Sequence, residues 1–342
     1  MYILGIESSC DETSAAVLSV SGGTDGKKIE RKLLSNIVAS QIETHRLYGG
    51  VVPEIASRAH IEAITGVVSE ALSEAKITIK DVGAIAVTAF PGLIGALLVG
   101  VNFAKSLAFA NNIPLVAVNH IKAHVAAAYL DHEELEGDFP ALVVSGGHTS
   151  IYRVKNYTEY EIIGETRDDA AGEAFDKIGR VIGLPYPGGA AMDKLAYEGD
   201  REAIDLPSPA LSGDTLDFSF SGLKTATLNY INGARQRGEE VVYADVAASF
   251  TNKVVTAVVG KAKRALEITG EKQLVLAGGV AANSHIRREL DVMCEKMGAK
   301  LYMPRLSLCG DNAAMVAMAG YFEYLRGNFA DTFLNASAND EI

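Results

Sequence analysis

Two stretches of this chain repeat one pattern, and that repetition constrains the fold more than any other feature. Tyr2–Ile6 is an apolar run, SSCDETS interrupts it, and AAVLSV resumes it. Near the middle of the chain ALVVSGGHTSIYRV begins the same way again. Each copy reads as strand, short polar tip and strand, and the pair reads as an internal duplication of an α/β unit. A tip of small polar residues at a strand end offers hydroxyls and backbone amides to a phosphate. The first tip adds Asp11 and Glu12, which suit a metal-bound phosphate or a proton-transfer step.

The 342 residues, 48% of them hydrophobic, are enough for two cores. HEELEGDFP is acidic and is the best boundary, so a first domain is expected over 1–135 and a second over 136–309. A C-terminal helix over 310–342 would complete the first. Cys10, Cys294 and Cys309 form neither an even disulfide set nor a CxxC pair, which favours a reducing, cytoplasmic setting. MYILGIES lacks the basic and apolar regions of a signal peptide. Val82–Ala104 carries no charge, but Pro91, Gly92, Gly95 and Gly100 break it into strand, turn and buried helix, against a membrane span. A net charge of −12 disfavours wrapping nucleic acid unaided, so a polyanionic partner needs a local basic patch or a helper protein.

Between the two tips the pattern predicts a polar loop over Gly22–Lys32, a strand over Asn36–Gln41, and a helix with Ile55, Ile61 and Ile64 on its apolar side. His45 and His60 are expected in loop or surface roles. Strand Val82–Thr88 leads to FPGLIGALLVG, a glycine-bearing loop opening a helix, where backbone could approach a ligand. After the second tip, Asp168, Asp169, Glu173 and Asp176 mark a helix ending at Pro187-Gly188-Gly189. LDFSFSGLKT reads as a short buried strand with Lys224 near an anion, and Val241–Ala265 as a long amphipathic helix. KQLVLAGGVAANSHIRREL is strand, glycine turn and helix from about Asn283. Leu301–Met303 is the last strand, and Asn312–Tyr324 is helical.

The clearest chemistry lies in PLVAVNHIKAH. Leu115–Val118 is a short strand, and the alanine-rich helix after it puts His120 and His124 four apart, on one face and roughly 6 Å apart at Cβ. The peptidase form of this device has a glutamate after the first histidine. Ile121 occupies that place, so the pair argues for metal binding and against metalloprotease chemistry. Asp311, at a loop-helix junction, reads either as a helix N-cap or, if its helix packs back on the first half, as a third ligand.

A duplicated α/β unit with a hairpin in each half is the layout of the actin and sugar-kinase (ASKHA) superfamily, whose ligands lie in a cleft between two lobes. More specifically, GIESSCDETS, YGGVVPEIASRAH, FPGLIGALLVG, HIKAH, VSGGHTS, DDAAGEAFDKIGR, PYPGG, DFSFSGLKT, GGVAAN and GDNAAM occur in that order. Over nearly its whole length the chain resembles the TsaD family, the tRNA threonylcarbamoyladenosine-forming proteins once called O-sialoglycoprotein endopeptidases. One departure is Asn111, where the family usually has a bulky or aromatic residue; a local packing difference is expected.

The resemblance implies a metal at His120, His124 and Asp311, with iron(II) or zinc both compatible with such ligands. It also implies a substrate site at Val144, Ser145, Gly146, Gly147, His148, Asp176, Gly189, Asp193 and Asn283. The implied activity is transfer of threonylcarbamoyl from threonylcarbamoyl-AMP to N6 of the adenine 3′ of the anticodon, in tRNAs reading codons that begin with A. A TsaB-like dimer partner and a TsaE-like ATPase are implied too, and no membrane. Asp11 and Glu12 are the catalytic candidates by position. A phosphotransferase of the same superfamily would leave the histidine pair without a role. A nucleotide-binding scaffold would tolerate active-site substitutions.

Overall fold

The computed structural model describes residues 1–22, 29–209, 211 and 213–339. The chain forms two compact units. The first comprises Met1–Glu136, Asn156–Thr158 and Pro304–Ile342, and the second Gly137–Lys155 and Glu159–Met303.

In the first unit β1 (Tyr2–Glu7), β2 (Glu12–Ser21) and β3 (Glu30–Ser40) form an antiparallel meander, followed by α1 (Ile42–Arg46) and α2 (Pro53–Glu74). Then come β4 (Val82–Phe90), α3 (Ile94–Asn111), β5 (Leu115–Asn119) and α4 (His120–Asp131). The strand order is β3-β2-β1-β4-β5, with β1, β4 and β5 parallel.

The second unit repeats this plan. β6 (Phe139–Val144), β7 (Thr149–Val154) and β8 (Tyr160–Glu165) make the meander. α5 (Ala171–Val181), α6 (Gly188–Leu195), α7 (Ser221–Arg237) and α8 (Tyr243–Thr269) precede β9 (Gln273–Ala277), α9 (Ser284–Met297) and β10 (Lys300–Tyr302). The order is β8-β7-β6-β9-β10, again with the last three parallel. Identical order and polarity in both sheets bear out the duplication inferred from the two hairpins.

The chain returns to the first unit with α10 (Ala313–Leu325), buried at every position from Ala313 to Phe322. Side chains of a strand alternate between faces, and β1 shows how the sheet uses both. Leu4 and Ile6 join a core with Ile64 of α2 and Val101 of α3. Gly5, on the opposite face, lies so close to α10 that a Cβ there would sit 2.2 Å from the Ala313 carbonyl oxygen. Gly320 repeats the device from the helix side, with a Cβ position 2.2 Å from that of Ala86. Each large apolar side chain so buried contributes about 1.5–3 kcal/mol of transfer free energy.

Several expectations need correction. β3 begins at Glu30, inside the predicted polar loop, while Gly23–Lys28 lie outside the described residues. Ile61 faces solvent at 63% exposure, whereas His45 and His60 are fully buried. α3 buries only one face, through residues such as Leu97, Val101 and Ala104. Among the described residues it is the one helix long and apolar enough to cross a membrane by length and composition. Asn111 ends it exposed, its side-chain amide donating to Leu107 O at 2.9 Å, and Asn112 takes the left-handed cap at φ 53°. The segment around Phe218 is a single bridge to Thr166, with α7 starting at Ser221. The helix expected over 310–342 covers only Ala313–Leu325. Gly327 at φ 77° turns the chain away, and Ala330 bridges to Leu115.

Candidate metal centre and active site

α4 starts where β5 ends, because the Asn119 side chain caps it by accepting from Lys122 N at 2.9 Å. That cap places His120 on the first turn and His124 one turn later, with ring centroids 4.6 Å apart. On the other side of the site Asn312 caps α10 by accepting from Met315 N, so the residue before it, Asp311, projects from the helix start. Asp311 is therefore not the N-cap.

Asp311 Oδ1 lies 3.1 Å from His124 Nε2 and 3.6 Å from His120 Nε2. One donor atom from each of the three residues falls within 4.8 Å of the others. Ligands about 2 Å from a shared ion stand about 3–4 Å apart, so this arrangement fits a metal. His124 gives the sharper test. It is 1% exposed, and neither of its ring nitrogens makes a hydrogen bond. Burying an imidazole without hydrogen bonds is costly, and a cation on Nε2 would offset part of that cost.

His120 is oriented from behind. Its Nδ1 lies 3.2 Å from Glu7 Oε2 and 3.1 Å from Ser9 Oγ. Glu7 is itself fixed, accepting from Thr88 Oγ1 at 2.7 Å and from Ser9 N at 2.6 Å. A carboxylate on Nδ1 selects the tautomer that turns the Nε2 lone pair toward a metal. Burial opposes charge on His120, but Asp311 and Glu7 outweigh it and raise its pKa to about 9 without metal. Glu7, despite burial, is held below the usual carboxylate range by His120. Glu7 and Ser9 went unrecognised in the sequence, where both read as parts of a strand and its tip.

The tip itself carries Asp11 and Glu12. Asp11 is buried. Glu12 accepts from Ser40 Oγ at 3.0 Å, and burial together with Asp311 and Asp11 pushes its pKa up to about 10. That direction favours a neutral, hydrogen-bond-donating Glu12 in the metal-free protein. Of the glycines of FPGLIGALLVG, Gly92 and Gly100 pack on this tip and Gly95 on Ser57 of α2. A Cβ on Gly92 would meet Ser9 O at 2.7 Å and one on Gly100 would meet Ser8 Oγ at 2.4 Å, so glycine lets α3 close on the turn.

In the second unit Val144 ends β6, and the Ser145–His148 turn is closed by Ser145 N donating to His148 O at 2.7 Å. Gly172 and Gly278 press on it, their Cβ positions 2.6 Å from Ser145 O and 2.4 Å from Val144 O. Gly146 and Gly147 stand exposed with open space above them. Asp176 Oδ1 accepts from Gly189 N at 3.1 Å. Asp193 accepts from Ser284 N at 2.9 Å, beside Asn283, which caps α9. Lys224 does meet an anion, pairing with Asp169, which also holds Lys177 at 2.8 Å.

Two sheets of identical order and polarity, each opened by a hairpin, place the chain in the actin and sugar-kinase class of folds. Solved structures agree. T. kodakarensis HypF superposes with TM-score 0.63 at 14% identity, over 97% of this chain and 49% of that one. The Acidaminococcus fermentans (R)-2-hydroxyglutaryl-CoA dehydratase component A gives 0.55 at 15%, over 95% and 99%. Within that class the family is clear. The model of the TsaD family, tRNA N6-adenosine threonylcarbamoyltransferase, matches residues 32–318, and the chain belongs to this family. Proteins of that name from Clostridium botulinum (strain Kyoto / Type A2) and Clostridium perfringens (strain ATCC 13124) are each 53% identical over 337 residues. Those matches span 98% of this chain and 96% and 97% of theirs. The protein is a transferase that modifies tRNA to form threonylcarbamoyladenosine.

Proposed function

We propose that the donor is threonylcarbamoyl-AMP, and that the acceptor is N6 of the adenine 3′ of the anticodon in tRNAs reading codons that begin with A. The transfer forms a C–N bond from N6 to the carbamoyl carbon, breaks the C–O bond to AMP, and releases one amine proton. The observation that carries the reading is the buried His124, whose Nε2 makes no hydrogen bond and lies 3.1 Å from Asp311 Oδ1, beside His120. We take the metal to be held by His120 Nε2, His124 Nε2 and the Asp311 carboxylate, with iron(II) favoured and zinc compatible. When bound it supplies Lewis acidity toward the acyl oxygen.

The remaining work falls to the chain. Glu7 and Ser9 keep His120 in register, and Asp11 is our candidate to accept the N6 proton. A protonated Glu12 donates toward the departing phosphate. The backbone of Ser145–His148 suits donor oxygens, and Asp176, Gly189, Asp193 and Asn283 suit the nucleoside. A TsaB-like partner and a TsaE-like ATPase fit an acidic chain that must reach tRNA. A tRNA substrate and three cysteines outside any disulfide support a cytoplasmic setting.

The test is a transfer assay with these partners, synthetic donor and unmodified tRNA, reading the modified nucleoside by mass spectrometry. Product that vanishes on chelation supports the reading. ATP hydrolysis without product would return the case to a phosphotransferase.

A further inference from the structure

The chain reverses between β1 and β2 in four residues, Ser8–Asp11, and each of them is gripped from outside, Ser8 by its hydroxyl and the next three by their carbonyls. Leu93 N donates to Ser9 O at 2.8 Å, and Gln41 N donates to Asp11 O at 2.9 Å. Ser8 Oγ donates to Ala96 O at 2.9 Å and accepts from Gly100 N at 3.2 Å. Cys10 O alone is taken by a side chain, His60 Nε2 at 3.0 Å, from α2. The other ring nitrogen, Nδ1, lies 2.7 Å from Thr13 Oγ1, at the first residues of β2.

These contacts define the tautomer. A carbonyl only accepts, so Nε2 bears the proton, and Nδ1 accepts from the Thr13 hydroxyl. One imidazole thus clamps both ends of the Cys10–Thr13 segment, with Asp11 and Glu12 between its two points of contact. His60 is fully buried, and that burial lowers its pKa, so it remains neutral and keeps this tautomer. It has no place among the metal ligands, and a core position needing only volume would take leucine. Gln41, which grips the next carbonyl through its backbone, is steadied by its own side chain, with Oε1 3.1 Å from His45 Nε2. The two buried histidines stand behind the same turn.

We propose that His60 is a positioning residue for the transfer reaction, setting the place of Asp11 and Glu12 through Cys10 O and Thr13. This rests on the reading of the tip as part of the reactive site. A shift of about 1 Å in reacting groups costs roughly 100-fold in rate, whereas a packing residue alters stability alone.

The test compares His60→Leu, His60→Gln and Thr13→Val in the full chain, assayed with partners, donor and tRNA, alongside metal content and thermal midpoint. His60→Leu is expected to lower kcat roughly 10- to 100-fold with KM changed less than about threefold. Metal content should stay at the parental level. His60→Gln, whose amide can donate to Cys10 O, should recover most of kcat. Thr13→Val removes only the hydroxyl, and should lower kcat in a folded protein even if His60→Leu does not fold. Parental kcat in both Thr13→Val and whichever His60 variant folds would overturn the proposal. So would loss of metal in His60→Leu, because the effect would then run through the metal centre. Asp11→Asn separates the two layers. If it keeps parental kcat while His60→Leu does not, Asp11 loses its role as base and the clamp stands.

Discussion

The hairpin tips of the two units share a topology and differ in what they present. The first, Ser8–Asp11, is dense in side chains, and its backbone carbonyls are consumed by Leu93, His60 and Gln41. The second, Ser145–His148, has two exposed glycines with open space above them. One tip holds its backbone still and offers carboxylates and a hydroxyl. The other offers backbone. The two sheets supply equivalent corners, and on the function proposed above one would serve side-chain chemistry and the other main-chain recognition.

The contrast can be broken at its strongest point first. His124→Ala should abolish metal binding and leave transfer below about one per cent of parent, with the fold retained. A variant keeping full metal and full rate would remove the centre from the mechanism. Next, the glycines that seat the second tip should behave unlike those that form its surface. Gly278 sits at φ 94° and ψ 166°, a region essentially closed to other residues, with its Cβ position 2.4 Å from Val144 O. Gly278→Ala should cost about 2–4 kcal/mol in a urea titration. Gly146→Ala should cost less than about 1 kcal/mol and instead raise KM for the donor. Equal destabilisation by both would erase the distinction.

A smaller effect is expected behind the metal. Glu7→Gln keeps the volume but weakens the hold on His120 Nδ1, and metal affinity should fall about 10- to 100-fold by competition with a chelator. Unchanged affinity would leave Glu7 a buried structural acid.

The smallest effect concerns pH. In metal-free protein the folded-state pKa of His120 is about 9 against an ordinary 6.5. Its stabilisation is therefore complete below about pH 6.5 and lost as pH rises through 9. Glu12, raised from 4.5 to about 10, acts with the same sign. Metal displaces the His120 proton, so the thermal midpoint of metal-loaded protein should hold up better across pH 6.5 to 9. Identical curves with and without chelator would contradict this.

Much of this was legible because it is local or periodic. The His120–His124 pair needs only helix spacing, and the duplication needs only alternating apolar runs. Asp311 became a third ligand in the sequence only on the condition that its helix packs back. Glu7 was not legible, since its partners Thr88 and His120 are remote in sequence and a glutamate ending an apolar strand looks like the start of a turn. His60 misled for the opposite reason. It was expected in a loop or surface role, yet its ring lies against the first hairpin, held by Thr13 Oγ1 of β2 and Cys10 O of the turn before it. The glycines of FPGLIGALLVG were read as letting backbone approach a ligand, and in the fold they let Ser9, Ser57 and Ser8 approach.

The place of α10 has a consequence for how the protein is made. The proposed metal centre takes its third ligand, and the first sheet its buried helical cover, from beyond residue 310. Until the ribosome has passed that point, β1, β2 and β4 lack the helix that packs on Gly5 and Ala86. A chain truncated before Asp311 retains both histidines but cannot close the ligand set. On the proposed ligand set metal retention would report on completed synthesis, and prematurely ended products should emerge metal-poor, sticky and marked for degradation.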